Sequence, residues 1–286
     1  MTTVADLMAR GEAVLAQAGI AQPRLDARLL LQHVLGVDHA GLISRFDRPA
    51  DGKAAAFFEA SIARRSGGEP VSRIRGEREF YGLPLRISPA VLDPRPETEL
   101  LVDRVLADHP ERTARDRFAD IGTGSGAIAL ALLANLPAAA GVALDISTQA
   151  LEVALENAQA LGFDNRFEAV HSDYLAGATG KFHFIVSNPP YIPANEIGGL
   201  SREVREHDPL AALSGGGDGL DAYRAILSQA ANHLAGSGRL YLELGSGQSG
   251  QVAVVARENH WVVCGVYQDL AAIERVMVLQ RDVNHL

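Results

Sequence analysis

The chain has 286 residues, more than a typical single domain, so one large domain or two unequal domains are expected. Hydrophobic residues make up 47% and charged residues 21%, which excludes a disordered chain and predicts a globular one. The formal net charge of −9 argues against a uniformly basic face for nucleic acid.

The cysteine content and the lengths of the apolar runs predict the cellular compartment of the protein. Cys264 is the single cysteine, so the sequence allows no internal disulfide, and no Cys/His cluster has zinc-ligand spacing. Charged residues at Asp6, Arg10 and Glu12 interrupt any apolar core of a signal peptide. The longest apolar run, at 127–134, is far short of the roughly 20 residues of a membrane span. We therefore expect a soluble, cytoplasmic protein without a metal site or membrane contact.

The N-terminal part of the chain predicts helices only. Leu25, Leu29, Leu30 and His33 recur at helical spacing, and residues 54–62 form a second apolar face. From Glu79 the period changes to a strand-like alternation around Gly82 and Pro84, which predicts a short hairpin. These patterns predict a small helical domain over 1–75 and a hairpin linker over 76–87.

Residues 88–286 predict a second, α/β domain. A rigid loop at 94–99 leads into an amphipathic helix, and strands and helices then alternate. The strand candidates are 118–121, 142–144, 167–170, 182–186, 240–244, 261–266 and 276–279, and the helix candidates are 127–133, 151–161, 223–234 and 252–257. This order predicts a doubly wound, mainly parallel sheet with an antiparallel strand pair at its end.

A glycine-rich loop follows the first strand of this domain and opens a helix. It comprises Asp120, Gly122, Thr123, Gly124, Ser125 and Gly126. Glycines at such a turn let the backbone approach a nucleotide ligand at a helix N-terminus. The spacing also fits G-x-G-x-x-A of dinucleotide-binding folds, so the loop alone does not separate NAD from S-adenosylmethionine.

Acidic and aromatic residues follow the next two strands. Asp145 ends the second strand, where a carboxylate can accept both ribose hydroxyls of either nucleotide. Asp173 and Tyr174 follow the third strand, where they could bind an adenine amino group and cover the ring. We assign all three to the cofactor site.

The most specific pattern is Asn188, Pro189, Pro190 and Tyr191, directly after the strand candidate 182–186. Ligands of open parallel sheets bind beyond the carboxyl ends of the strands, so this tetrad is expected beside the glycine loop. The Asn188 side-chain oxygen and the Pro189 carbonyl can each accept one N–H bond of a planar amide. The two prolines fix the backbone, and the Tyr191 ring can stack on the amide. The tetrad therefore predicts methyl transfer to a planar NH₂ group, with Asn188 also touching the cofactor.

A second glycine-rich run, at 214–219, lacks the Lys-Ser/Thr pair of a phosphate-binding loop. We expect it to be a flexible connection into the helix that starts near Leu220.

The chain resembles the release factor glutamine methyltransferases over residue 64 to the C-terminus. The resemblance is carried by GEREFYG at 76–82, DPRPETE at 93–99, the glycine loop, VSNPPYI at 186–192, EVR at 203–205 and GDGLDAYR at 217–224. The tetrad alone is shared with DNA adenine methyltransferases, whereas its combination with the DPRPETE loop is much more specific.

The resemblance implies methylation of the glutamine in the Gly-Gly-Gln motif of class-1 peptide-chain release factors, with S-adenosylmethionine as cofactor. It also implies a seven-stranded class I methyltransferase sheet and an N-terminal helical domain that recognises the substrate protein. Arg95 and Glu97 are expected to contact that substrate. Two positions depart from the pattern: Asp93 replaces an expected apolar residue, and Asp208 an expected glutamate. We expect the Asp93 charge to face solvent.

Other functions remain compatible with parts of the pattern. The nearest is a glutamine methyltransferase that acts on a ribosomal protein. A nucleic-acid adenine methyltransferase would use the same tetrad, but the acidic balance and the lack of a basic, aromatic-rich segment disfavour it. A nicotinamide oxidoreductase would not require Asn188 and Tyr191, and neither would a binding module without activity.

Overall fold

The computed structural model describes residues 2–111 and 113–282 and divides into two compact units. The first unit comprises residues 1–77 together with 201–207, and the second comprises 78–200 together with 208–286. Within the described residues, no helix combines the length and the apolar character that crossing a membrane requires.

The first unit is helical and has its own apolar core. Its helices are α1 (Val4–Gln17), α2 (Pro23–Leu35), α3 (His39–Ile43), α4 (Gly52–Ser66) and α5 (Val71–Arg75). Thr3 caps α1 through a reciprocal pair of bonds with Asp6, and Pro23 occupies the first turn of α2, where its missing N–H costs nothing. Leu7, Leu30 and Phe58 are buried at the centre of this core.

A segment distant in sequence belongs to the first unit through a buried charge. The Arg65 side chain is 8% exposed and pairs with Asp26 (Nε to Oδ2, 2.6 Å) and with Glu203 (Nη1 to Oε1, 2.7 Å). Glu203 lies in a short helix, Arg202–His207. Residues 201–207 therefore supply Glu203, the second carboxylate that pairs with the buried Arg65 guanidinium.

A two-stranded hairpin lies at the start of the second unit, as the alternation at 79–87 predicts. Its strands are β1 (Glu77–Phe80) and β2 (Leu83–Arg86). Tyr81 and Gly82 both have positive φ, +51° and +74°, the turn geometry that matches the twist of two antiparallel strands.

The second unit is built on a seven-stranded sheet. Its strands are β3 (Arg117–Ile121), β4 (Ala140–Asp145), β5 (Phe167–His171), β6 (Phe182–Ser187), β7 (Leu234–Glu243), β8 (Trp261–Gln268) and β9 (Glu274–Arg281). The strand order is β5-β4-β3-β6-β7-β9-β8, and only the pairings of β9 with β7 and β8 are antiparallel. The predicted doubly wound, mainly parallel sheet and its antiparallel end are confirmed.

Helices and short helical turns connect these strands. They are a 3₁₀ turn at Pro96–Thr98, α6 (Glu99–Asp108), α7 (Ala127–Asn135), α8 (Thr148–Ala160), a 3₁₀ turn at Ile197–Gly199, α9 (Arg202–His207), α10 (Leu210–Leu213), α11 (Asp221–Ala230) and α12 (Ser249–Glu258), of which α9 belongs to the first unit. Two large apolar clusters form most of the core of the unit, one centred on α6 and α7 and the other on α11 and α12, and a small third cluster includes Ile87 and Val153. The apolar stretch of α7 is buried on every side, which explains its unbroken run of alanine, isoleucine and leucine.

One predicted helix extends beyond the residue at which the helix of the structure ends. The helix predicted over 223–234 stops at Ala230, and Leu234 begins β7, where it pairs with Phe182 of β6. Leu234 is buried. An apolar residue at this place satisfies helical and strand spacing alike, so the period alone could not place the boundary.

Candidate functional site

A cavity of about 340 Å³ lies in the second unit, beyond the carboxyl ends of β3, β4, β5 and β6. Residues of the four post-strand segments and of two further loops line it: Pro89, Ala90, Val91, Leu92, Ile121, Gly122, Gly124, Asp145, Ile146, Ser147, Gln149, Ala150, Ser172, Asp173, Tyr174, Ser187, Asn188, Pro189, Pro190, Pro209, Ala211 and Ala212. The parallel topology thus gathers the three sequence patterns that were assigned to cofactor and substrate.

The glycine loop is shaped by left-handed backbone and by bonds to β4. Gly122 and Gly124 have φ of +69° and +57°, a region that favours glycine. The Gly122 and Thr123 N–H groups both donate to the Leu144 carbonyl, at 2.8 and 3.1 Å. A Cβ at Gly122 would lie 4.0 Å from the Asn188 carbonyl, so the loop and the tetrad are neighbours.

Four of the predicted loop residues lie outside the cavity lining. Thr123, Ser125 and Gly126 are buried against the protein interior, and Asp120 is fully buried. The Asp120 Oδ2 accepts bonds from the Thr123 hydroxyl (2.8 Å) and the Ala129 N–H (3.2 Å). Burial raises the pKa of Asp120 to about 7, against the lowering effect of these two bonds. In this structure Asp120 joins the strand to the following helix.

Asp145 is held in place by backbone donors at the end of β4. Its Oδ2 accepts from the Gly124 N–H (3.0 Å) and its Oδ1 from the Ser147 N–H (2.9 Å). Each carboxylate oxygen has more than one lone pair, so further bonds into the cavity remain possible. Ile146, the next residue, is 61% exposed and offers an apolar surface in the cavity lining.

Asp173 and Tyr174 follow β5 and line the same cavity. Asp173 is exposed, and Tyr174 is half-buried with a φ of +51°. The Tyr174 carbonyl accepts a bond from the Ser172 hydroxyl (2.8 Å), which supports this uncommon backbone conformation. Burial raises the pKa of the Tyr174 hydroxyl.

The tetrad begins where β6 ends. The Ser187 hydroxyl donates to the Ile121 carbonyl (2.8 Å) and ties the tetrad to the glycine loop. Asn188 donates from Nδ2 to the Thr98 Oγ1 (3.1 Å), so its Oδ1 is the end of the amide that remains for a ligand. Asn188, Pro189 and Pro190 line the cavity.

Tyr191 lies behind the other three tetrad residues and is not part of the cavity lining. Its hydroxyl donates to the Glu243 Oε1 at 3.4 Å, and its carbonyl accepts from the Gln248 side chain at 2.9 Å. Burial and the neighbouring Glu243 raise the pKa of the Tyr191 hydroxyl above its usual range. The side chain therefore remains a neutral phenol.

The predicted orientation of Asp93 is wrong. Its side chain is buried rather than solvent-facing, and Arg78 lies 3.7 Å away (Nε to Oδ1). The other departure from the family pattern, Asp208, is next to it: the Asp93 N–H lies 3.3 Å from the Asp208 Oδ1. Asp208 also pairs with Arg95 (Oδ2 to Nη2, 2.5 Å), so the two unexpected aspartates and two arginines form one charge cluster.

Neither residue expected to contact the substrate in this loop reaches the cavity lining. Arg95 is occupied by Asp208, and Glu97 is exposed. Their assignment to the substrate stays a prediction.

The glycine run at 214–219 is ordered against the tetrad, which corrects the expectation of a flexible connection. The Gly215 N–H donates to the Ile192 carbonyl (2.9 Å), and the Ala194 N–H to the Gly216 carbonyl (2.8 Å). A Cβ at Gly219 would lie 2.5 Å from the Tyr191 carbonyl. The run is therefore glycine-rich because its backbone packs directly on the backbone that follows the tetrad.

Three further residues of this region were missed. Ile146 lines the cavity, whereas Thr98 and Glu243 lie behind Asn188 and Tyr191 and are 4% and 2% exposed. One signal could have found Glu243: it is a carboxylate at the carboxyl end of an apolar strand, the same position that Asp145 has in β4.

Comparison with known proteins identifies the family. The PrmC N-terminal domain model matches residues 6–76, and the methyltransferase small domain model matches residues 92–199. A release factor glutamine methyltransferase of Bradyrhizobium diazoefficiens is 49% identical over 266 residues, which cover 92% of this chain and 90% of that protein. The chain belongs to the release factor glutamine methyltransferase family.

Further relatives agree with this family. A release factor glutamine methyltransferase of Agrobacterium fabrum is 41% identical and covers 98% of both chains. A solved methyltransferase from Pyrococcus furiosus has a TM-score of 0.51 at 16% identity, over 77% of this chain and 98% of that one, which shows the shared fold. The predicted family, class I methyltransferase fold and S-adenosylmethionine-dependent methyltransferase class are confirmed at the level of the family.

Proposed function

We propose that this protein transfers a methyl group from S-adenosylmethionine to the side-chain amide nitrogen of the glutamine in the Gly-Gly-Gln motif of class-1 release factors. The observation that carries the proposal is the Asn188 amide at the cavity wall, with Nδ2 committed to Thr98 and Oδ1 left as an acceptor. Family membership adds the substrate class. Such a substrate would place the protein in the cytoplasm.

The cavity residues fit S-adenosylmethionine. Asp145 is fixed by two backbone donors and keeps acceptor capacity for ribose hydroxyls, and the exposed Ile146 provides an apolar surface for a purine. Asp173 and Tyr174 line the same cavity, as adenine recognition would require. The volume of about 340 Å³ is within the range of small-molecule and cofactor sites.

The tetrad would position the glutamine amide. The Asn188 Oδ1 and the Pro189 carbonyl each accept one amide N–H, which turns the nitrogen toward the bound cofactor. Two prolines fix this backbone, and Ser187 ties it to the glycine loop. S-adenosylmethionine, when bound, supplies an electrophilic methyl carbon on a sulfonium. The amide nitrogen would take the methyl group directly as the methyl–sulfur bond breaks, so no covalent enzyme intermediate is needed. The acceptors stabilise the positive charge that builds on the amide N–H groups, and the surplus N–H proton passes to water.

We further propose that the helical first unit recognises the substrate protein. Its charged residues are of both signs, as in the exposed pair of Arg10 and Glu59. Binding dominated by phosphates would need several lysine or arginine contacts. The unit therefore suits a protein partner better than DNA or RNA.

The test is transfer of labelled methyl groups to a purified class-1 release factor, with a ribosomal protein fraction and duplex DNA as competing substrates. We expect label in the release factor alone, and mass spectrometry should place it on the Gly-Gly-Gln glutamine. Asn188→Ala should lower turnover about 100-fold or more. Asn165→Ala, which changes an exposed asparagine, should leave turnover unchanged. Label in a ribosomal protein or in adenine, with an unmodified release factor, would overturn the proposal.

A further inference from the structure

A buried carboxyl group lies behind the tetrad, at the end of β7. Glu243 is 2% exposed, and its Oε1 accepts a hydrogen bond from the Tyr191 hydroxyl (3.4 Å). Within the described residues, its Oε2 has no hydrogen-bond partner. A buried carboxyl oxygen of this kind requires a donor close by, because an unsatisfied acceptor is costly in the interior.

Thr98 is the donor that stands between this carboxyl and Asn188. Its side chain is 4% exposed, its hydroxyl interacts with the Glu243 carboxyl, and its Oγ1 accepts the bond from the Asn188 Nδ2 (3.1 Å). A threonine hydroxyl has a single proton to donate. With that proton directed to Glu243, only the acceptor side of the hydroxyl is left for Asn188.

We propose that Thr98 and Glu243 are positioning residues that fix the orientation of the Asn188 amide and hold the Tyr191 ring. The inference rests on the proposed function. Asn188 donates to the Thr98 Oγ1, and Tyr191 donates to the Glu243 Oε1. The Thr98 hydroxyl lies beside the same carboxyl, and it would connect the two bonds by donating to the unpaired Glu243 Oε2. One buried acid thereby supports two of the four tetrad residues.

A carboxylate at position 243 determines which of the neighbouring groups donate hydrogen bonds and which accept them. The two ends of an asparagine amide have almost the same shape, but only the oxygen end can accept the N–H of a substrate amide. Burial raises the pKa of Glu243 to about 7, and above that pH the ionised carboxylate is a pure acceptor. Thr98 then donates toward it, and Asn188 presents Nδ2 to Thr98, so the kinetics are measured at pH 8.5. A glutamine at 243 could donate to Thr98 instead. Thr98 would then donate to the Asn188 Oδ1, and Asn188 would offer its NH₂ group to a substrate that also donates.

Three substitutions test the proposal on the full-length enzyme with a purified release factor. Thr98→Val keeps the shape and removes the hydroxyl, Thr98→Ser keeps the hydroxyl, and Glu243→Gln keeps the shape and adds donors. Thr179→Val and Glu258→Gln make the same changes at exposed positions and serve as controls. Steady-state kinetics gives kcat and KM, and calorimetry with S-adenosylhomocysteine gives cofactor-site affinity.

We expect Thr98→Val and Glu243→Gln to lower kcat about tenfold or more, because the amide is misoriented in the transition state. The KM for the release factor should change less than about threefold, since the proposed recognition surface on the first unit supplies most of the binding. The S-adenosylhomocysteine affinity should also change less than about threefold, since Asp145, Asp173 and Tyr174 are unaltered. Thr98→Ser should restore kcat to within about threefold of wild type. A purely structural role would not produce this rescue together with an isolated loss of kcat.

The outcomes separate the two proposals. Absence of release-factor methylation by the wild-type enzyme would refute the proposed function. An active wild type, with Thr98→Val and Glu243→Gln at wild-type kcat, would refute the positioning role. Should Thr98→Val fail to fold, Glu243→Gln and Thr98→Ser decide: wild-type kcat in Glu243→Gln overturns the inference, and a selective loss of kcat in it supports the inference.

Discussion

The buried carboxyl of Asp120 makes the stability of the protein depend on pH in a predictable way. No hydrogen-bond partner for its Oδ1 is found among residues 2–111 and 113–282, whereas its Oδ2 accepts from Thr123 and Ala129. Burial raises the pKa from 3.8 to about 7, and the nearby Asp145 charge adds to the rise. The folded protein therefore binds a proton at Asp120 that the unfolded chain releases at much lower pH.

A group with a raised folded-state pKa stabilises the fold most at low pH, and this contribution is lost as the pH rises toward that pKa. For a shift from 3.8 to about 7, the free energy of unfolding should fall by about 2.5 kcal/mol between pH 5 and pH 8 through Asp120 alone. Asp120→Asn removes the titration and keeps an acceptor for Thr123 and Ala129. The free energy of unfolding of the variant, relative to wild type, should therefore increase by that amount between pH 5 and pH 8.

Urea denaturation followed by circular dichroism at pH 5, 6, 7 and 8, without ligands, measures this difference. Asp164→Asn removes an exposed carboxylate and controls for the change in net charge. Glu243, whose pKa burial also raises, is present in both proteins, so its contribution cancels. A difference between Asp120→Asn and wild type that stays constant from pH 5 to pH 8 would show that Asp120 is ionised throughout and refute the reasoning.

Two further substitutions test the packing of each unit. Arg65→Met should lower the free energy of unfolding by about 3 kcal/mol, because Asp26 loses its partner at a site where both side chains are largely buried; a loss below 1 kcal/mol in urea denaturation would contradict this. Gly126→Ala should cost about 1–2 kcal/mol, since the residue has a φ of +82° and its Cβ would lie 3.1 Å from the Leu130 Cδ1. Thermal unfolding measures that loss. An unchanged melting temperature would show that neither the positive φ nor the contact with Leu130 is costly.

The arrangement of the cavity could be predicted because it follows from topology. Asp145 ends β4, whereas Tyr174 and Asn188 follow β5 and β6, and parallel strands bring their carboxyl ends to one edge of the sheet. The strand patterns alone therefore sufficed to place three distant patterns together. The end of the helix at Ala230 could not be predicted in this way, because the apolar Leu234 satisfies both periods.

The roles of residues that contact distant parts of the chain could not be predicted from the local sequence pattern. Gly219 looked like part of a flexible run, yet its lack of a side chain is required by the Tyr191 carbonyl, 2.5 Å from where a Cβ would lie. Thr98 lies in a loop whose charged neighbours, Arg95 and Glu97, drew the assignment to the substrate. Its partner Asn188 is 90 residues away, and no local pattern reports such a contact.

The two departures from the family pattern show how a pair of unexpected residues can be explained by one contact. Taken singly, Asp93 is a charge where an apolar residue was expected, and a solvent-facing side chain was the simplest account of it. The structure instead buries Asp93 and Asp208 close together, with Arg78 and Arg95 as their cationic neighbours. Two buried carboxylates are tolerated when each has a cation beside it, whereas a single one in an apolar setting would be costly. The aspartate at 93 is therefore best understood together with the aspartate at 208, which stands where the family pattern predicts the longer glutamate. The Asp208 Oδ1 lies next to the Asp93 backbone N–H, and the Asp208 Oδ2 pairs with Arg95.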